Sequence, residues 1–299
     1  MYARLVASAL ALLTLLPAHA AAGAWTQDKG RFWGKVAYFQ QSTDEWYINN
    51  RKFIGGEWVK TGSRRGYDFD GEYEFKGVFF EGTYGMTDRL DIGFQLPFVS
   101  QRFENSTQEG RTASGWSDLR LTAKLRLLSA PLVLSVKGGA KMPTGKFINE
   151  DGLIPVGQGQ WDFDLSTDIS RSFWPLPLYA NLEVGYRVRT VNDEVDLDPG
   201  DEWFFTGELG YQPFKRLYLV GKVEALRGKE GASFGLRNPS LVSRVTYLSP
   251  TLVYKVDDDT AVEIGQRHTI NGKNFAAGWQ LVLGLSTGFD ALGALKQLR

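Results

Sequence analysis

The chain has 299 residues, of which 34 are basic and 34 are acidic, so its formal net charge is zero. This balance gives no reason to expect a nucleic-acid partner, and we expect none. The sequence contains no cysteine. A disulfide framework, a thiolate metal site and a thiol nucleophile are therefore excluded as well.

The first twenty residues have the three-part pattern of a secretory signal peptide. Arg4 gives a basic start, residues 5–16 form an uncharged apolar run, and Ala18-His19-Ala20 is a small-x-small cleavage site. A membrane anchor is the alternative, but such a helix needs about 20 apolar residues, and this run is shorter. We expect cleavage after Ala20, export of the chain, and a short N-terminal segment at residues 21–29.

From residue 30 onwards the dominant pattern is an alternation of apolar and polar side chains with a period of two. It is clearest in Trp161–Ser170, where odd positions carry Trp, Phe, Leu, Thr and Ile and even positions carry only Asp and Ser. Residues 89–98, 118–127 and 179–189 follow the same pattern, whereas it fails locally at Val78-Phe79-Phe80. A period of two predicts β-strands with one apolar and one polar face.

The alternation and the connections between its segments predict twelve strands. We expect them at about 31–42, 66–84, 89–101, 116–127, 132–142, 160–172, 178–189, 202–212, 217–227, 241–256, 261–269 and 278–289. Five connections are short, at 85–88, 128–131, 173–177, 213–216 and 256–260, and six are mostly longer, at 43–65, 102–115, 143–160, 190–201, 228–240 and 270–277. Short and long connections alternate strictly, as in outer-membrane barrels with short periplasmic turns and longer outer loops.

Two architectures use such strands, a transmembrane barrel and a soluble β domain. No segment of the mature chain is long and apolar enough for a membrane helix, and in lipid only a closed barrel can then pair every backbone group. A soluble sandwich would bury charged side chains on nearly every inward face, which is costly unless they are paired. The sequence therefore predicts an all-β, antiparallel up-and-down transmembrane β-barrel of 12 strands over residues 30–289, with a C-terminal tail at 290–299.

Short segments along the barrel carry a family resemblance. They are Tyr84–Gly93, Gly115–Leu119, Lys141–Gly145, Val156–Asp162, Val184–Arg187, Leu248–Pro250 and Gly272–Asn274. In this order they resemble the outer-membrane transporter family named for the meta-pathway of phenol degradation (MetA-pathway phenol degradation family), over about residues 66–289. The resemblance implies an outer-membrane barrel linked by name to aromatic-compound uptake, and it brings no catalytic residues. One departure is that such barrels usually finish on an aromatic residue, whereas this chain continues past Phe289 to Arg299.

Two other functions stay open beside transport, a lipid-modifying enzyme and a structural or adhesive barrel. His268-Thr269-Ile270-Asn271-Gly272 resembles the His-x-Ser-Asn-Gly segment of outer-membrane phospholipases, but Ile270 stands in place of the serine nucleophile. Acyl transfer needs a nucleophile beside its base, so we expect no enzymatic activity. The acidic residues of loop 190–201 lack the ordered spacing of a Ca²⁺ loop, so we expect no metal site and no cofactor.

The lumen-facing side chains are the candidate functional site, because rings of charge set selectivity in pores. By parity, that is, by their alternate positions along each strand, the main candidates are Arg120, Lys124, Lys137, Lys141, Asp162, Asp164, Asp168, Glu183 and Arg187. They predict a basic stripe on the fourth and fifth strands beside an acidic stripe on the sixth, with a transverse field between them. The same parity rule puts Glu72, Glu74 and Lys76 in the lumen.

The sequence thus predicts a channel in the outer membrane of a Gram-negative bacterium for passive uptake of small solutes, including aromatic or carboxylated compounds. An open or gated lumen is favoured over a plugged scaffold, because twelve strands enclose more space than the eight whose interior side chains can fill. The expected partners are outer-membrane lipid and lipopolysaccharide, the barrel-assembly machinery, and the small-molecule solute.

Overall fold

The computed structural model describes residues 23–54, 56–147 and 153–291. The predicted signal peptide at residues 1–20 and the predicted tail beyond residue 291 lie outside these ranges. Within them, no helix is long and apolar enough to cross a membrane.

Twelve antiparallel strands form the main sheet, and all twelve predicted strands are present. They are β1 (Arg31–Thr43), β2 (Glu72–Thr87), β3 (Leu90–Asn105), β4 (Gln108–Trp116 and Leu119–Leu128), β5 (Val133–Met142), β6 (Asp162–Ser172), β7 (Leu178–Arg189), β8 (Glu202–Phe214), β9 (Leu217–Gly228), β10 (Arg244–Lys255), β11 (Thr260–Lys273) and β12 (Gly278–Asp290). Strand β4 has two parts because residues 117–118 leave the ladder.

The sheet closes on itself. Strand β1 pairs with β12 from Arg31↔Asp290 to Gln40↔Leu281, and it pairs with β2 along its other edge. The remaining strands pair with their neighbours in chain order. A closed sheet satisfies the backbone of the wall without an open edge, as a lipid environment requires. The predicted 12-stranded up-and-down barrel is therefore confirmed.

Two of the predicted long connections are short in the structure. Strands β3 and β4 continue as a hairpin that turns at residues 106–107, in place of the loop predicted at 102–115. Strand β11 runs to Lys273, so only residues 274–277 link it to β12. The polar composition of both regions was misleading, because a strand that extends beyond the lipid needs backbone pairing but no apolar face.

The outer surface of the wall is apolar along the middle of the strands. Leu121, Leu165 and Leu252 point outward and are 43%, 64% and 47% exposed, whereas Ser166 beside Leu165 points inward and is buried. This arrangement is that of a barrel whose outer face meets lipid and whose inner face lines a lumen.

Strand β2 has the opposite parity to the predicted one. Glu72, Glu74 and Lys76 are exposed on the outside, while Tyr73 and Phe75 line the lumen. The predicted lumen position of the three charged residues is therefore wrong. The physical reason is that β2 begins at the long-loop end, where outward side chains meet water and can be charged.

Short strands form three small sheets at the long-loop end. They are Glu45–Tyr47 with Arg64–Gly66 and Phe275–Ala276, Lys52–Ile54 with Glu57–Val59, and Leu197–Asp198 with Gly231–Ser233 and Leu236–Asn238, the last followed by a 3-10 turn at Pro239–Leu241. The first sheet packs against the barrel, where the hydroxyl of Tyr47 donates to the carbonyl of Thr269 at 2.9 Å. Beside it Tyr67 stacks on Trp46, and burial raises the pKa of Tyr67 to about 12.

Candidate functional site in the barrel lumen

The lumen residues predicted from the sequence lie on four consecutive strands. Arg120 and Lys124 are on β4, Lys137 and Lys141 on β5, Asp162, Asp164 and Asp168 on β6, and Glu183 and Arg187 on β7. The register places them side by side: Lys141 is opposite Arg120 on one side and opposite Asp162 on the other. The basic stripe is therefore adjacent to the acidic stripe.

Ion pairs connect the basic stripe, the acidic stripe and strand β7. Arg187 Nε lies 2.6 Å from Asp164 Oδ1, and Arg120 pairs with the other oxygen of the same carboxylate. Lys137 Nζ lies 2.6 Å from Glu183 Oε1. These charges neutralise one another at short range, so the wall is a lattice of ion pairs and the predicted transverse field is weakened accordingly.

Two of the acidic candidates are almost fully buried. Asp162 is 2% and Asp168 is 1% exposed. Asp162 Oδ2 lies 3.2 Å from Lys141 Nζ, and Asp168 Oδ2 lies 3.8 Å from Lys137 Nζ. Removing one partner of such a buried pair is strongly destabilising, because the remaining charge stays in a poorly solvated place. These two aspartates are thus part of the wall's internal support.

The N-terminal segment, residues 23–30, lies inside the lumen. Ala24 has no exposed surface. Its N–H donates to Ser170 Oγ on β6 at 2.7 Å, and its carbonyl accepts a hydrogen bond from Ser135 Oγ on β5. Thr26 Oγ1 donates to the carbonyl of Asp88 in the turn between β2 and β3. The segment therefore occupies the short-turn end of the lumen, a role that the sequence did not predict for it.

Lys124 and Asp91 hold this segment by its backbone. The ammonium of Lys124 donates to the carbonyls of Gly23, at 3.2 Å, and Trp25. It also lies 3.5 Å from Asp91 Oδ2, and Asp91 Oδ1 accepts the N–H of Gln27 at 3.0 Å. Lys124 is only 6% exposed, so it tethers the segment and does not project into an open pore.

Trp25 adds an apolar contact to these polar ones. Its ring meets Tyr179 edge to face, with 6.1 Å between ring centroids. The cluster against which it packs is buried and consists of Tyr179, Tyr218, Val220, Val253 and Ala261. Together with the backbone hydrogen bonds, this packing fills part of the cross-section, so the passage is narrower than twelve strands alone would leave.

Beyond the segment the lumen contains a cavity of about 760 Å³. One part of its wall is aromatic, with Trp33 and Phe39 from β1 and Phe75 and Phe79 from β2. These four aromatic residues were not predicted to line the lumen. The failed alternation around Phe79 was the sequence feature that could have identified them. A strand between lipid and an apolar part of the lumen is apolar on both faces.

Another part of the same wall carries charge. Glu224 on β9 contacts two cations, Lys222 Nζ at 3.4 Å and Arg267 Nε at 3.1 Å. The Arg267 guanidinium also lies 3.5 Å from the centroid of the Tyr247 ring, a cation–π geometry. Two cations contact this one carboxylate, and Glu208 is opposite Lys222 in the ladder. Over the whole lining of the cavity that the aromatic rings share, six basic and five acidic side chains leave one net positive charge.

At the outer end of the charged wall, hydrogen bonds around Asp118 join β4 and β5 to loop 143–160, and we call this group of contacts the clasp. Asp118 accepts the N–H groups of Gly145 at 3.1 Å and Gln158 at 3.0 Å. Lys141 Nζ lies 3.1 Å from Asp118 Oδ2 and donates to Gln158 Oε1. The predicted lumen residue Lys141 therefore anchors the described parts of loop 143–160.

Three of the segments that carry the family resemblance meet in this clasp. Gly115–Leu119 supplies Asp118, and the other two are Lys141–Gly145 and Val156–Asp162. A Cβ on Gly157 would lie 2.3 Å from the carbonyl oxygen of Gly145. The close approach of the two backbones therefore leaves no room for a side chain at position 157.

The closed wall, its lipid-facing exterior and its polar lumen define an outer-membrane β-barrel. The model of the family described as "Putative MetA-pathway of phenol degradation" matches residues 57–285. The chain belongs to this family, and the resemblance that its motifs indicate is confirmed. No curated protein sequence matches the chain.

Two solved structures illustrate how far the fold is shared. The crystal structure of an outer membrane channel from Pseudomonas putida F1 has a TM-score of 0.71 and 18% sequence identity, and the match covers 88% of this chain and 97% of that one. The β domain of the Bordetella autotransporter BrkA has a TM-score of 0.50 and 10% identity, covering 88% and 100%. At these identities both likenesses concern the fold alone.

Proposed function

We propose that this protein is a passive outer-membrane channel for small aromatic solutes, with a preference for those that carry an anionic group. The observation that supports this most is the cavity of about 760 Å³ between aromatic rings and a cationic cluster. Phe75 and Phe79 offer apolar contact to a ring. Lys222 and Arg267, which both contact Glu224, offer positive charge to an acid group.

The family description and the fold support the same proposal. The family is described by a pathway of phenol degradation, and the similar barrel of Pseudomonas putida F1 is described as an outer membrane channel. A barrel of twelve strands leaves space for a solute where eight strands would be filled by side chains. We infer facilitated diffusion, because the wall of ion pairs can guide a solute but supplies no energy for its movement.

The geometry does not favour the alternative of a lipid-modifying enzyme. His268 pairs with Trp279 on the outer face of the wall, and its Nε2 lies 2.9 Å from Gln266 Oε1. Ile270 is exposed nearby and has no hydroxyl. Because a histidine base needs an adjacent nucleophile for acyl transfer, we infer a channel without catalytic activity.

Neutralising the cationic cluster should reduce the preference for aromatic anions. We expect Lys222→Gln with Glu224→Gln and Arg267→Gln to lower the ratio of benzenesulfonate to benzyltrimethylammonium flux by roughly five-fold, about 1 kcal/mol for one charge at close range in a watery pore. Both probes carry one ring and a permanent charge, and both cross lipid slowly. The measurement is their efflux from liposomes that contain the folded protein.

A second variant separates charge excess from a general disturbance of the cavity. Lys35 and Glu263 line the same cavity and form a balanced pair at 2.5 Å. Lys35→Gln with Glu263→Gln removes two charges but no net charge, and the flux ratio should stay unchanged. An equal loss of preference in both variants would contradict the role of the cluster, and wild-type efflux no faster than from protein-free liposomes would contradict the channel.

A further inference from the structure

Three cations stand side by side on the outer face of the barrel. In the ladder, Arg227 of β9 is opposite Arg244 of β10, and Arg244 is opposite Lys273 of β11. Opposite residues share a face of the sheet and lie roughly 5 Å apart. Arg244 is exposed, and its chain neighbour Val245 is buried in the interior. We call Arg227, Arg244 and Lys273 the basic row.

Like charges at directly opposed positions of a sheet destabilise it, yet the basic row has no compensating acid among the described residues. Arg227 donates to the carbonyl of Val245 and to Thr246 Oγ1, and Lys273 donates to the carbonyl of Pro239. These contacts orient the cations without neutralising them. The lumen cations Arg120, Lys137 and Arg187 differ, because each has a carboxylate partner.

The row lies at the long-loop end, which faces outwards in outer-membrane barrels. Four residues further into the wall, Val223 and Leu248 are opposite each other on the outer face and are 43% and 42% exposed. A strand advances about 3.3 Å per residue, so the cations lie about 13 Å along the strands from this apolar pair. Trp203, opposite Arg227 on β8, is the type of residue that marks a membrane interface.

We propose that the basic row binds the phosphate groups of lipopolysaccharide in the outer leaflet. Three cations on adjacent strands form a line that can contact more than one phosphate of the same lipid, and such charge-assisted contacts are strong. Lipid A carries two phosphates at the level of its sugars, just above its acyl chains. Val223 and Leu248 provide the apolar surface on which those chains would pack.

The test measures lipid binding to the full-length folded protein in a neutral detergent by native mass spectrometry. The probes are bisphosphorylated lipid A, dephosphorylated lipid A and phosphatidylglycerol. We expect Arg244→Gln with Lys273→Gln to weaken binding of bisphosphorylated lipid A by about five-fold per cation, and so roughly 25-fold in total. Binding of dephosphorylated lipid A should be equally weak for the wild type and the variant.

The matched control is Arg102→Gln. Arg102 also lies on the outer end of β3, but it is paired with Glu104, so its loss should leave lipid A binding unchanged. Heat-modifiable migration in gels confirms that each variant is folded. Undiminished binding in the double variant would overturn the proposal. Phosphatidylglycerol binding as tight as that of bisphosphorylated lipid A, with the same loss in the double variant, would overturn the assignment to lipopolysaccharide.

Discussion

Deleting residues 23–29 should raise the single-channel conductance of the barrel several-fold. These residues fill the short-turn end of the lumen, where Ala24 is completely buried between β5 and β6. Ion conductance rises with the open cross-section of a pore, and the deletion restores space that twelve strands enclose. The measurement is the conductance of purified protein in planar lipid bilayers, with the predicted cleavage site kept intact.

The contacts of the segment determine which control is informative. Most of them involve its backbone, since Lys124 bonds to two carbonyls and Asp91 accepts an N–H. Replacing the segment with glycine and serine of equal length therefore preserves these bonds, and it should change conductance far less than the deletion.

Asp91→Asn with Lys124→Met removes the buried charges together, which avoids an unpaired ion, and should give frequent transitions to the larger conductance. Equal conductance in the wild type and the deletion would show that the segment does not restrict the lumen.

Arginine at Leu121 should destabilise the barrel by about 2–4 kcal/mol, the cost of this side chain near the middle of a lipid-facing wall. Leu121 is 43% exposed on the outer face of β4. Thr122 is its neighbour and lines the lumen cavity, so Thr122→Arg should cost much less. The measurement is the free energy of unfolding by urea in lipid vesicles. The same loss at both positions would mean that the two faces of β4 are not lipid and lumen.

The strands were predictable because their signal is local and repeated. In Trp161–Ser170 every aspartate and serine faces the lumen, and the odd positions, Thr167 among them, face outwards, so the period of two survives unchanged in the structure. Strand β2 shows where this rule ends. Its inner face carries Tyr73 and Phe75 and its outer end carries Glu72 and Glu74, because lipid covers only part of a strand and the lumen is not uniformly polar.

The lumen site was predictable in its members but not in its contacts. Parity alone brings Arg120, Asp164 and Arg187 to one face, and the structure joins them in ion pairs. No local pattern indicated that Lys124 would bond to residues 23–25, since a separation of about a hundred residues leaves no periodic trace. Tertiary contacts of this kind depend on closure of the barrel, which sequence periodicity does not describe.

The central proposal is that the solute passes through the lumen, and it can be tested by blocking the lumen. The chain contains no cysteine, so Phe79→Cys and Phe80→Cys each give a single reactive site, inside the cavity at position 79 and on the outer face at position 80. Each variant is treated with a bulky maleimide, and benzenesulfonate efflux from liposomes is measured before and after. We expect that labelling position 79 abolishes most of the efflux and that labelling position 80 leaves it unchanged. Unchanged efflux after complete labelling of position 79 would contradict transport through the barrel.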